Sequence, residues 1–559
     1  MGSILYILQM YNLPMEISFG TLSLILLKIF SKWLPIIFHM PNKLWGEFMK
    51  RQSLIKGTVI LGIATIFARF LGLFFRIPIQ GLIGDQGMGY YQMSYPLYMT
   101  FVALASGVPI AMSKLISEAN ARNDVHAIRQ ILKETLMIMI PIGIFASFLM
   151  LFFSKQIITT LKWDFKSYYS FIVISFAPIF VCIMCTFRGF FQGLQNMTYT
   201  GVSQVVEQIG RVVCGVLFAY LLLPKGIEYA AGGAALGTVV GGFLGSIYLM
   251  INYFRVSKSF PKGNNKRKNK MLPFIAQAAL PVSIGAAVGT VMSLIDSIVV
   301  PQRLLAAGFK IEESAVLYGQ LTGKAVTLQN IPLALSVALC ASLVPIVAEA
   351  YSMRRTNELN RRVEMVFKLS FVISIPSFLG LYFLAEPIMG LVFMKDIAGY
   401  NILKYLSISI PFIIITQTTT SLLQSCGRYT KPVYYLIVGC IVKVILSYIL
   451  VAQSSVNIYG AVIGTIFGYM TTAILNYVAI WKVLRVKINL YEVLIKPLLA
   501  ALVMIIAVVF SYNNVYNYTI SSGISCLISI LVGVLVFSVM AIILRIFTFQ
   551  ELRHLHKSN

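Results

Sequence analysis

The stretch Gly57-TVILGIATIFARFLGLFFRI-Pro78 is long and apolar enough to cross a lipid bilayer, and it carries two arginines. A helix needs about 20 apolar residues to span the hydrocarbon core. Arg69 lies near the middle of the stretch and Arg76 near its far end. An ionised side chain at that depth is costly, so it normally faces a protein interior or a water-filled path. The stretch therefore predicts a membrane helix that helps to line a wet, positively charged cavity.

The composition indicates a membrane protein. The 559-residue chain is 58% hydrophobic and only 11% charged, with a mean hydropathy of +0.83, which excludes an ordinary soluble domain. A formal net charge of +26 would suggest nucleic acid as the partner of a soluble protein. Because cytoplasmic loops of membrane proteins collect Lys and Arg, we expect membrane lipids and no nucleic acid as partners.

The residue patterns of intramembrane catalysis are absent from the sequence. The four histidines lie outside the predicted spans, and neither a paired metal-ligand spacing nor a Walker motif occurs. The seven cysteines are scattered over apolar segments, so Cys182 and Cys185 are interpreted as packing residues. We expect no enzyme activity, no metal and no cofactor. An ion gradient, and hence a coupling ion, or the membrane potential remains as the energy source.

Hydrophobic runs predict an all-α polytopic membrane protein with fourteen core transmembrane helices. Their approximate limits are 57–77, 88–112, 130–153, 168–188, 199–223, 230–252, 274–300, 316–348, 364–384, 401–422, 433–452, 459–482, 493–512 and 521–547. The eighth run is long for one span, so we expect a loop or a broken turn near Gly319 and Gly323.

Loop charges determine the predicted topology. Loops after even-numbered helices are rich in Lys and Arg, whereas loops after odd-numbered helices are poor in them, and the first, 78–87, has none. Lys and Arg accumulate on the cytoplasmic side of a membrane. The pattern therefore places the protein in the plasma membrane as a multi-pass protein with both core termini in the cytoplasm.

The chain is predicted to consist of five segments. They are an N-terminal extension interpreted as an interfacial helix (1–48), an N-lobe of helices 1–6 (49–255), a basic cytoplasmic linker (256–273), a C-lobe of helices 7–12 (274–487), and helices 13 and 14 with a cytoplasmic tail (488–559). The basic run in the linker is a solvated topology signal or, alternatively, attracts anionic lipid head groups.

An internal repeat relates the two lobes. The stretch from Gln192 to Arg211 aligns without a gap on Gln424 to Lys443, and Gly233-AALGT follows in the same order as Gly460-AVIGT. Both halves begin in the cytoplasm, so the repeat is parallel. It predicts two pseudo-symmetric six-helix lobes with a transport site between them, plus two C-terminal helices.

Six ionisable residues lie within the predicted spans, namely Arg69, Glu207, Arg211, Asp296, Lys324 and Lys443. Glu207 and Arg211 are spaced i, i+4 and can pair on one helix face. Asp296 and Lys324 are expected to pair as a gate or as a local structural pair. The cations exceed the anions by about two charges, which favours an anionic substrate. Guanidinium groups bind phosphate oxygens bidentately, so a phosphorylated substrate fits best.

Further features concern packing and the cavity. Gly237, Gly241 and Gly245 form a small-residue ridge that permits close helix contact. Gln329 and Asn330 lie beside Pro332, which can break a helix at membrane depth, so they are candidates for cavity-lining residues. Helices 13 and 14 are lipid-facing helices that complete the fold or form an apolar groove for a long hydrocarbon tail.

The chain from about Met49 to Lys557 resembles the MOP (multidrug/oligosaccharidyl-lipid/polysaccharide) exporter superfamily. Within it, the likeness is greatest to the stage V sporulation protein B-like group of Gram-positive lipid II flippases. The motifs that carry the resemblance are Lys56-Gly-Thr, Arg69-Phe-Leu-Gly72, Arg76-Ile-Pro78, Gly89-Tyr-Tyr-Gln-Met93, Ser106-Gly-Val-Pro109, Arg188-Gly-Phe-Phe-Gln-Gly193, Glu207-Gln-Ile-Gly-Arg211 and Tyr318-Gly-Gln-Leu-Thr-Gly-Lys324.

The resemblance implies a pyrophosphate site made by cavity arginines on helix 1 and a basic residue near the start of helix 8. Arg69 matches the helix 1 position. Arg76 falls one residue from the expected second arginine, and Lys324 stands near the helix 8 position, which here is Thr327. The resemblance also implies that the two extra C-terminal helices accommodate a polyprenyl tail.

Together these features predict a flippase for a polyprenyl-pyrophosphate-linked cell-wall precursor, lipid II or a similar unit, working by alternating access in peptidoglycan or spore cortex synthesis. The predicted substrate-binding residues are Arg69, Arg76, Arg211, Lys324 and Lys443, and the predicted cavity or gating residues are Glu207, Asp296, Gln329 and Asn330. The alternatives are a multidrug/cation antiporter of the same superfamily, a flippase for another lipid-linked polysaccharide unit, a membrane-embedded glycan enzyme and a non-transporting scaffold.

Overall fold

The structure is a computed structural model that describes residues 54–258, 272–353, 355–393, 396–484 and 489–546. Every regular element in these ranges is helical. The predicted N-terminal extension, the core of the basic linker and the end of the C-terminal tail lie outside the described residues, and so do the predictions made for them.

The first half of the described chain folds into eight α-helices joined by short connections. They are α1 (Leu54–Ala105), α2 (Gly107–Ala121), α3 (Val125–Phe152), α4 (Ser154–Thr160), α5 (Tyr168–Ile174), α6 (Ala177–Gly193), α7 (Met197–Leu222) and α8 (Ile227–Lys258). Helix α1 is interrupted at Gly84, whose φ of 64° is a left-handed conformation that favours glycine. The interruption separates the first two predicted spans.

The second half of the described chain contains eleven α-helices. They are α9 (Leu272–Ala306), α10 (Ile311–Gly319), α11 (Val326–Ser352), α12 (Thr356–Phe383), α13 (Ala385–Val392), α14 (Tyr400–Leu406), α15 (Ile410–Ser425), α16 (Thr430–Leu450), α17 (Tyr459–Leu484), α18 (Lys496–Thr519) and α19 (Ser522–Ile543). A π-helical turn, Gln320–Ala325, joins α10 to α11. The break predicted near Gly319 and Gly323 is therefore a local widening of the helix and not a loop.

The all-helical membrane architecture is confirmed, while the count of fourteen spans remains a prediction. In the part of the chain that the structure describes, eleven helical segments are long and apolar enough to cross a membrane. One of them, Ile60–Ala121, covers the first two predicted spans. The protein is a multi-pass membrane protein.

The described chain divides into two compact units. The first comprises the residues up to Ile83 together with Leu104–Lys155 and Lys166–Ser283. The second comprises Gly84–Ala103, Gln156–Phe165 and the residues from Ile284 onward. Two segments from the first half of the sequence therefore belong to the second unit. The lobe boundaries predicted from the repeat remain a prediction.

The glycine ridge predicted on α8 packs against α7 within the first unit. A Cβ added at Gly237 would lie 2.5 Å from the carbonyl oxygen of Arg211, so only glycine permits this approach. In the second unit, the repeat partner of Gly237 is Gly464 on α17, and its Cβ would lie 3.1 Å from the carbonyl oxygen of Lys443 on α16. In each repeat, therefore, a glycine packs against the backbone of the buried cationic residue, Arg211 or Lys443.

The last two helices pack against each other, and α18 also packs against α12. Their remaining surface carries large exposed apolar side chains, among them Ile506, Phe510, Leu531 and Leu535. Such a surface is stable only in contact with hydrocarbon or with an apolar ligand. This agrees with either interpretation of these helices, as lipid-facing elements or as a groove for a polyprenyl tail.

Candidate functional site

In the first unit, a polar helix contact lies between the N-terminal part of α1 and α7. The hydroxyl of Thr65 donates to Oε1 of Gln204 over 2.9 Å. A Cβ at Gly201 would lie 2.9 Å from Cβ of Ala64, and one at Gly72 would lie 3.8 Å from Oε1 of Gln208. Small residues therefore bring the helices close, and two side-chain amides of α7 face α1.

The two arginines of α1 belong to the same helical side by spacing. Positions 65, 69, 72 and 76 are separated by four, three and four residues, which places them in one row along a helix. Arg76 is partly buried. The side chain of Arg69 lies outside the described residues, so its predicted role in substrate binding stays a prediction.

Glu207 is held by two arginines. Its Oε1 lies 3.2 Å from Nη2 of Arg211, as the i, i+4 spacing predicted, and its Oε2 lies 2.9 Å from Nη2 of Arg188 on α6. The side chain of Arg211 is only 8% exposed. Nε of Arg188 also donates to the hydroxyl of Ser203 over 3.0 Å. Two guanidinium groups therefore meet at one carboxylate.

In the second unit, Lys324 is held by two carboxylates. Its Nζ lies 2.8 Å from Oδ1 of Asp85 and 2.6 Å from Oδ2 of Asp396, and the lysine side chain is fully buried. The ammonium also donates to the carbonyl oxygen of Ala398 over 3.3 Å. Lys324 lies on the π-helical turn, a feature that often occurs at functional sites.

The surroundings of Lys324 are tightly packed. Gly89 on α1 approaches the carbonyl oxygen of Ala315, and Gly319 approaches that of Asp85, so closely that a Cβ at either glycine would overlap the facing backbone. Nε2 of Gln320 donates to Oδ2 of Asp85 over 3.0 Å. The residues after the Gly84 break and those around the π-helical turn therefore form one rigid junction, which we call the α1–α10 junction (residues 85–92 and 311–325).

A second buried carboxylate supports the same part of α1. The hydroxyl of Tyr90 donates to Oδ2 of Asp164 over 2.9 Å and accepts a hydrogen bond from Nε2 of Gln86 over 2.7 Å. The neighbouring indole of Trp163 donates to the carbonyl oxygen of Ser297 over 2.7 Å. The short segment 156–165 therefore attaches to both α1 and α9.

Lys443 pairs with Asp296. Its Nζ lies 2.7 Å from Oδ2 of Asp296 and donates to the carbonyl oxygen of Met292 over 2.9 Å. The expected pair of Asp296 with Lys324 is wrong, because each of the two residues is engaged in a different ion pair. The pair that forms joins α16 to α9.

Gln329 and Asn330 point to different environments. Gln329 is buried, and its Nε2 donates to the hydroxyl of Ser409 over 2.5 Å, so it does not reach open space as the sequence suggested. Asn330 is exposed. Among the described residues no group of three or more His, Cys, Asp or Glu side chains is placed to hold a metal ion.

Comparison with known proteins identifies the family. Residues 54–351, more than half of the chain, match the model of the polysaccharide biosynthesis protein family, and residues 322–449 match the MatE model. The chain belongs to the polysaccharide biosynthesis protein family. Both matches place it in the MOP superfamily, as the sequence motifs indicated.

Curated relatives cover most of this family member. It is 28% identical to stage V sporulation protein B of Bacillus subtilis over 453 residues, which covers 79% of this chain and 86% of the relative. It is 27% identical to the lipid II flippase MurJ of Bacillus subtilis over 479 residues, which covers 81% of this chain and 86% of the relative. These relatives are a sporulation protein and a flippase, and neither is named as an enzyme.

Solved structures share the fold. A lipid II flippase MurJ in an inward closed conformation aligns with a TM-score of 0.66 at 18% identity, covering 87% of this chain and 99% of that chain. An inward-facing multidrug resistance MATE family transporter of the MOP superfamily aligns with a TM-score of 0.64 at 17% identity, covering 75% of this chain and 94% of that chain. At these identities the likeness establishes the fold of the family member alone.

Sequence reasoning missed three charged residues of these clusters. Arg188 is the last residue of the fourth predicted span, so it was not included among the ionisable residues within the spans, although it belongs to one of the family motifs. Asp85 and Asp396 lie in connections between predicted spans, so a search restricted to the spans did not find them. The signal available for Asp85 was its position directly after Gly84 and four residues before Gly89.

Proposed function

We propose that the chain is a flippase that moves a polyprenyl-pyrophosphate-linked cell-wall precursor, lipid II or a similar lipid-linked oligosaccharide, from the inner to the outer leaflet. The family match and the curated relatives support a lipid-linked precursor as the class of substrate. The protein carries out no bond-making chemistry on it and is not an enzyme. Its role belongs to peptidoglycan or spore cortex synthesis.

The observation that carries the proposal is the meeting of two arginines at one carboxylate, Glu207. Arg188 and Arg211 share this single carboxylate, and Arg211 is largely buried. Closely spaced guanidinium groups favour an anionic ligand. The guanidinium group offers five N–H donors in a planar fork that matches phosphate geometry. A pyrophosphate therefore suits this cluster together with Arg69 and Arg76, which share one side of α1 by spacing.

In this proposal the first unit supplies most of the charge that binds the pyrophosphate. Lys324 and Lys443 are both compensated by carboxylates, so they take part only if those ion pairs rearrange. The protein works by alternating access, and the polyprenyl tail stays in contact with the apolar surfaces of α18 and α19. An ion gradient or the membrane potential drives the cycle. The protein lies in the plasma membrane with both core termini in the cytoplasm.

The test is the outer-leaflet accessibility of lipid II in cells that depend on this protein. The Arg69→Ala variant should abolish the exposure of lipid II that the wild type restores. Lys225→Ala serves as the matched control, because Lys225 is an exposed cation of the same unit, and it should behave like the wild type. If Arg69→Ala restores exposure fully while expressed at the wild-type level, the assignment of α1 to the substrate site is refuted.

A multidrug/cation antiporter is the second candidate, favoured by the MatE match at residues 322–449. Its substrates would be cations, which the two arginines gathered at Glu207 disfavour. Overexpression in a drug-sensitive strain separates the two functions. Increased resistance to cationic drugs, without any change in lipid II exposure on depletion, would support the antiporter.

A further inference from the structure

Lys324 has no donor left for a substrate in this conformation. An ammonium group has three N–H donors, and here three acceptors surround it: Asp85, Asp396 and the carbonyl oxygen of Ala398. The side chain is fully buried. An anion that binds Lys324 must therefore displace one of its present partners.

The two carboxylates differ in how firmly they are held. The side chain of Asp85 is 11% exposed, and its second oxygen accepts from Nε2 of Gln320. The side chain of Asp396 is 47% exposed, and among the described residues its second oxygen accepts only the backbone N–H of Ala398, over 3.1 Å. Moving Asp396 into water costs less than moving Asp85, because Asp396 is already half hydrated and removing Asp85 would also disrupt the α1–α10 junction.

The backbone around Asp396 is also suited to movement. Asp396 lies on the connection between α13 and α14, and this connection ends at Gly399, whose φ of 84° places it in the left-handed region. A cavity of about 280 Å³ borders the connection and is lined by Gln320, Ala398, Gly399, Tyr400 and Tyr459 among others. The connection is therefore less densely packed than the junction beside it.

We propose that Asp396 is a built-in competitor for anionic substrate at Lys324. Its carboxylate takes the position of a phosphate oxygen, and the lipid-linked pyrophosphate of the proposed function replaces it when the substrate reaches Lys324. A phosphate that approaches Lys324 repels both carboxylates, and the more exposed Asp396 leaves. A pyrophosphate carries more charge than one aspartate and binds the ammonium more strongly.

The exchange links substrate binding to the connection that bears Asp396. In the topology predicted from loop charges, the Gly84 break and this connection lie toward the outer face of the membrane. Lys324 releases the connection only when a substrate is present to replace Asp396. The connection stays attached to Lys324 without substrate, which limits leakage through an empty protein. Asp85 remains with Lys324 in both states and keeps it charged.

Binding of a polyprenyl pyrophosphate that lacks the sugar to the purified full-length protein tests this proposal. The Asp396→Asn variant removes the competing charge, and it should bind the probe on the order of tenfold more tightly than the wild type. Asp396→Glu, which restores the charge, should return the affinity to near the wild-type value. Glu386→Gln is the matched control, since Glu386 is an exposed carboxylate on the preceding α13, and it should leave the affinity unchanged.

The gain must also depend on Lys324. The double variant Lys324→Gln, Asp396→Asn should show no gain over the wild type. If Asp396→Asn binds the probe no more tightly than Glu386→Gln does, Asp396 is a structural partner only and the proposal is overturned. This result leaves the proposed function intact, because the wild type still binds. Absence of binding to the wild type would instead overturn the proposed function and the competitor with it.

Hydrogen exchange gives a second readout that does not rely on affinity. Adding the probe to the wild type should increase amide exchange in residues 396–406, because the connection that bears Asp396 loosens once Asp396 leaves Lys324. In Asp396→Asn, exchange in this segment should already be raised without the probe. Exchange that stays at the wild-type level in Asp396→Asn, with or without the probe, would contradict the link between Lys324 and the connection.

Discussion

Replacing Lys443 by Met should destabilise the protein by about 3–5 kcal/mol, because it leaves the carboxylate of Asp296 buried without a counter-charge. The ammonium of Lys443 is only 2% exposed and lies 2.7 Å from Oδ2 of Asp296, whose side chain is 15% exposed. At this distance the Coulomb attraction is about 6 kcal/mol for an effective dielectric constant of 20. The cost of taking both charges out of water offsets part of it. Loss of the bond to the carbonyl of Met292 adds about 1 kcal/mol.

A double-mutant cycle measures this interaction. The variants are Lys443→Met, Asp296→Asn and the two combined, each compared with the wild type by denaturant unfolding of the purified protein in detergent micelles. The combined variant carries no buried charge and should recover most of the lost stability. Lys482→Met controls for loss of an exposed lysine in the same unit and should change stability by about 0.5 kcal/mol or less.

Two results would refute this reasoning. One is a Lys443→Met variant as stable as the wild type, and the other is a combined variant no more stable than Lys443→Met alone. The combined variant also separates structural from substrate roles. If it is stable and restores lipid II exposure, Lys443 serves to join α16 to α9. If it is stable and inactive, Lys443 contacts the substrate, as the repeat predicts.

Three further substitutions are tested by thermal unfolding. Gly237→Ala places a Cβ 2.5 Å from the backbone of both Arg211 and Gly215 and should destabilise the protein by about 1–3 kcal/mol. Gly464→Ala should cost less, because its Cβ meets chiefly the hydroxyl of Ser447, which can rotate away. A larger cost for Gly464→Ala than for Gly237→Ala would contradict the packing. Tyr90→Phe leaves the buried Asp164 without the 2.9 Å bond from the phenol and should cost about 1–2 kcal/mol. Tyr429→Phe is its exposed control, and equal stability of the two variants would contradict a role for this bond.

The helices could be predicted from the sequence because their signal is local. A run of apolar residues of span length has one stable outcome in a bilayer, since each backbone polar group must be satisfied within the segment. The Glu207–Arg211 pair could be predicted for the same reason, because i, i+4 spacing determines the contact wherever the helix lies. The irregular turn near Gly319 and Gly323 was also indicated by sequence, although its π-helical form was not.

The partners of the other cations could not be predicted, because they depend on which helices meet. Asp296 and Lys324 were expected to pair from their similar depth, yet Asp296 contacts Lys443, which is 147 residues away in the chain. Lys324 pairs with two carboxylates that lie in connections between predicted spans, Asp85 and Asp396, and Asp396 is 72 residues away in the chain. A residue in a connection has no assigned depth, so a count of charges within spans omits it and overstates the positive charge around Lys324.

The two repeats keep the same glycine contact but have diverged in how they neutralise the buried cation beside it. Arg211 takes its carboxylate from its own helix and shares it with Arg188. Lys443 takes its carboxylate from α9, so its charge is balanced and two helices are joined. A symmetric site with one free cation from each lobe therefore does not follow from the repeat. Two arginines meet at one carboxylate in the first unit, the unit that also contains the α1 arginines, so an anionic head group should bind there in preference to the compensated lysines.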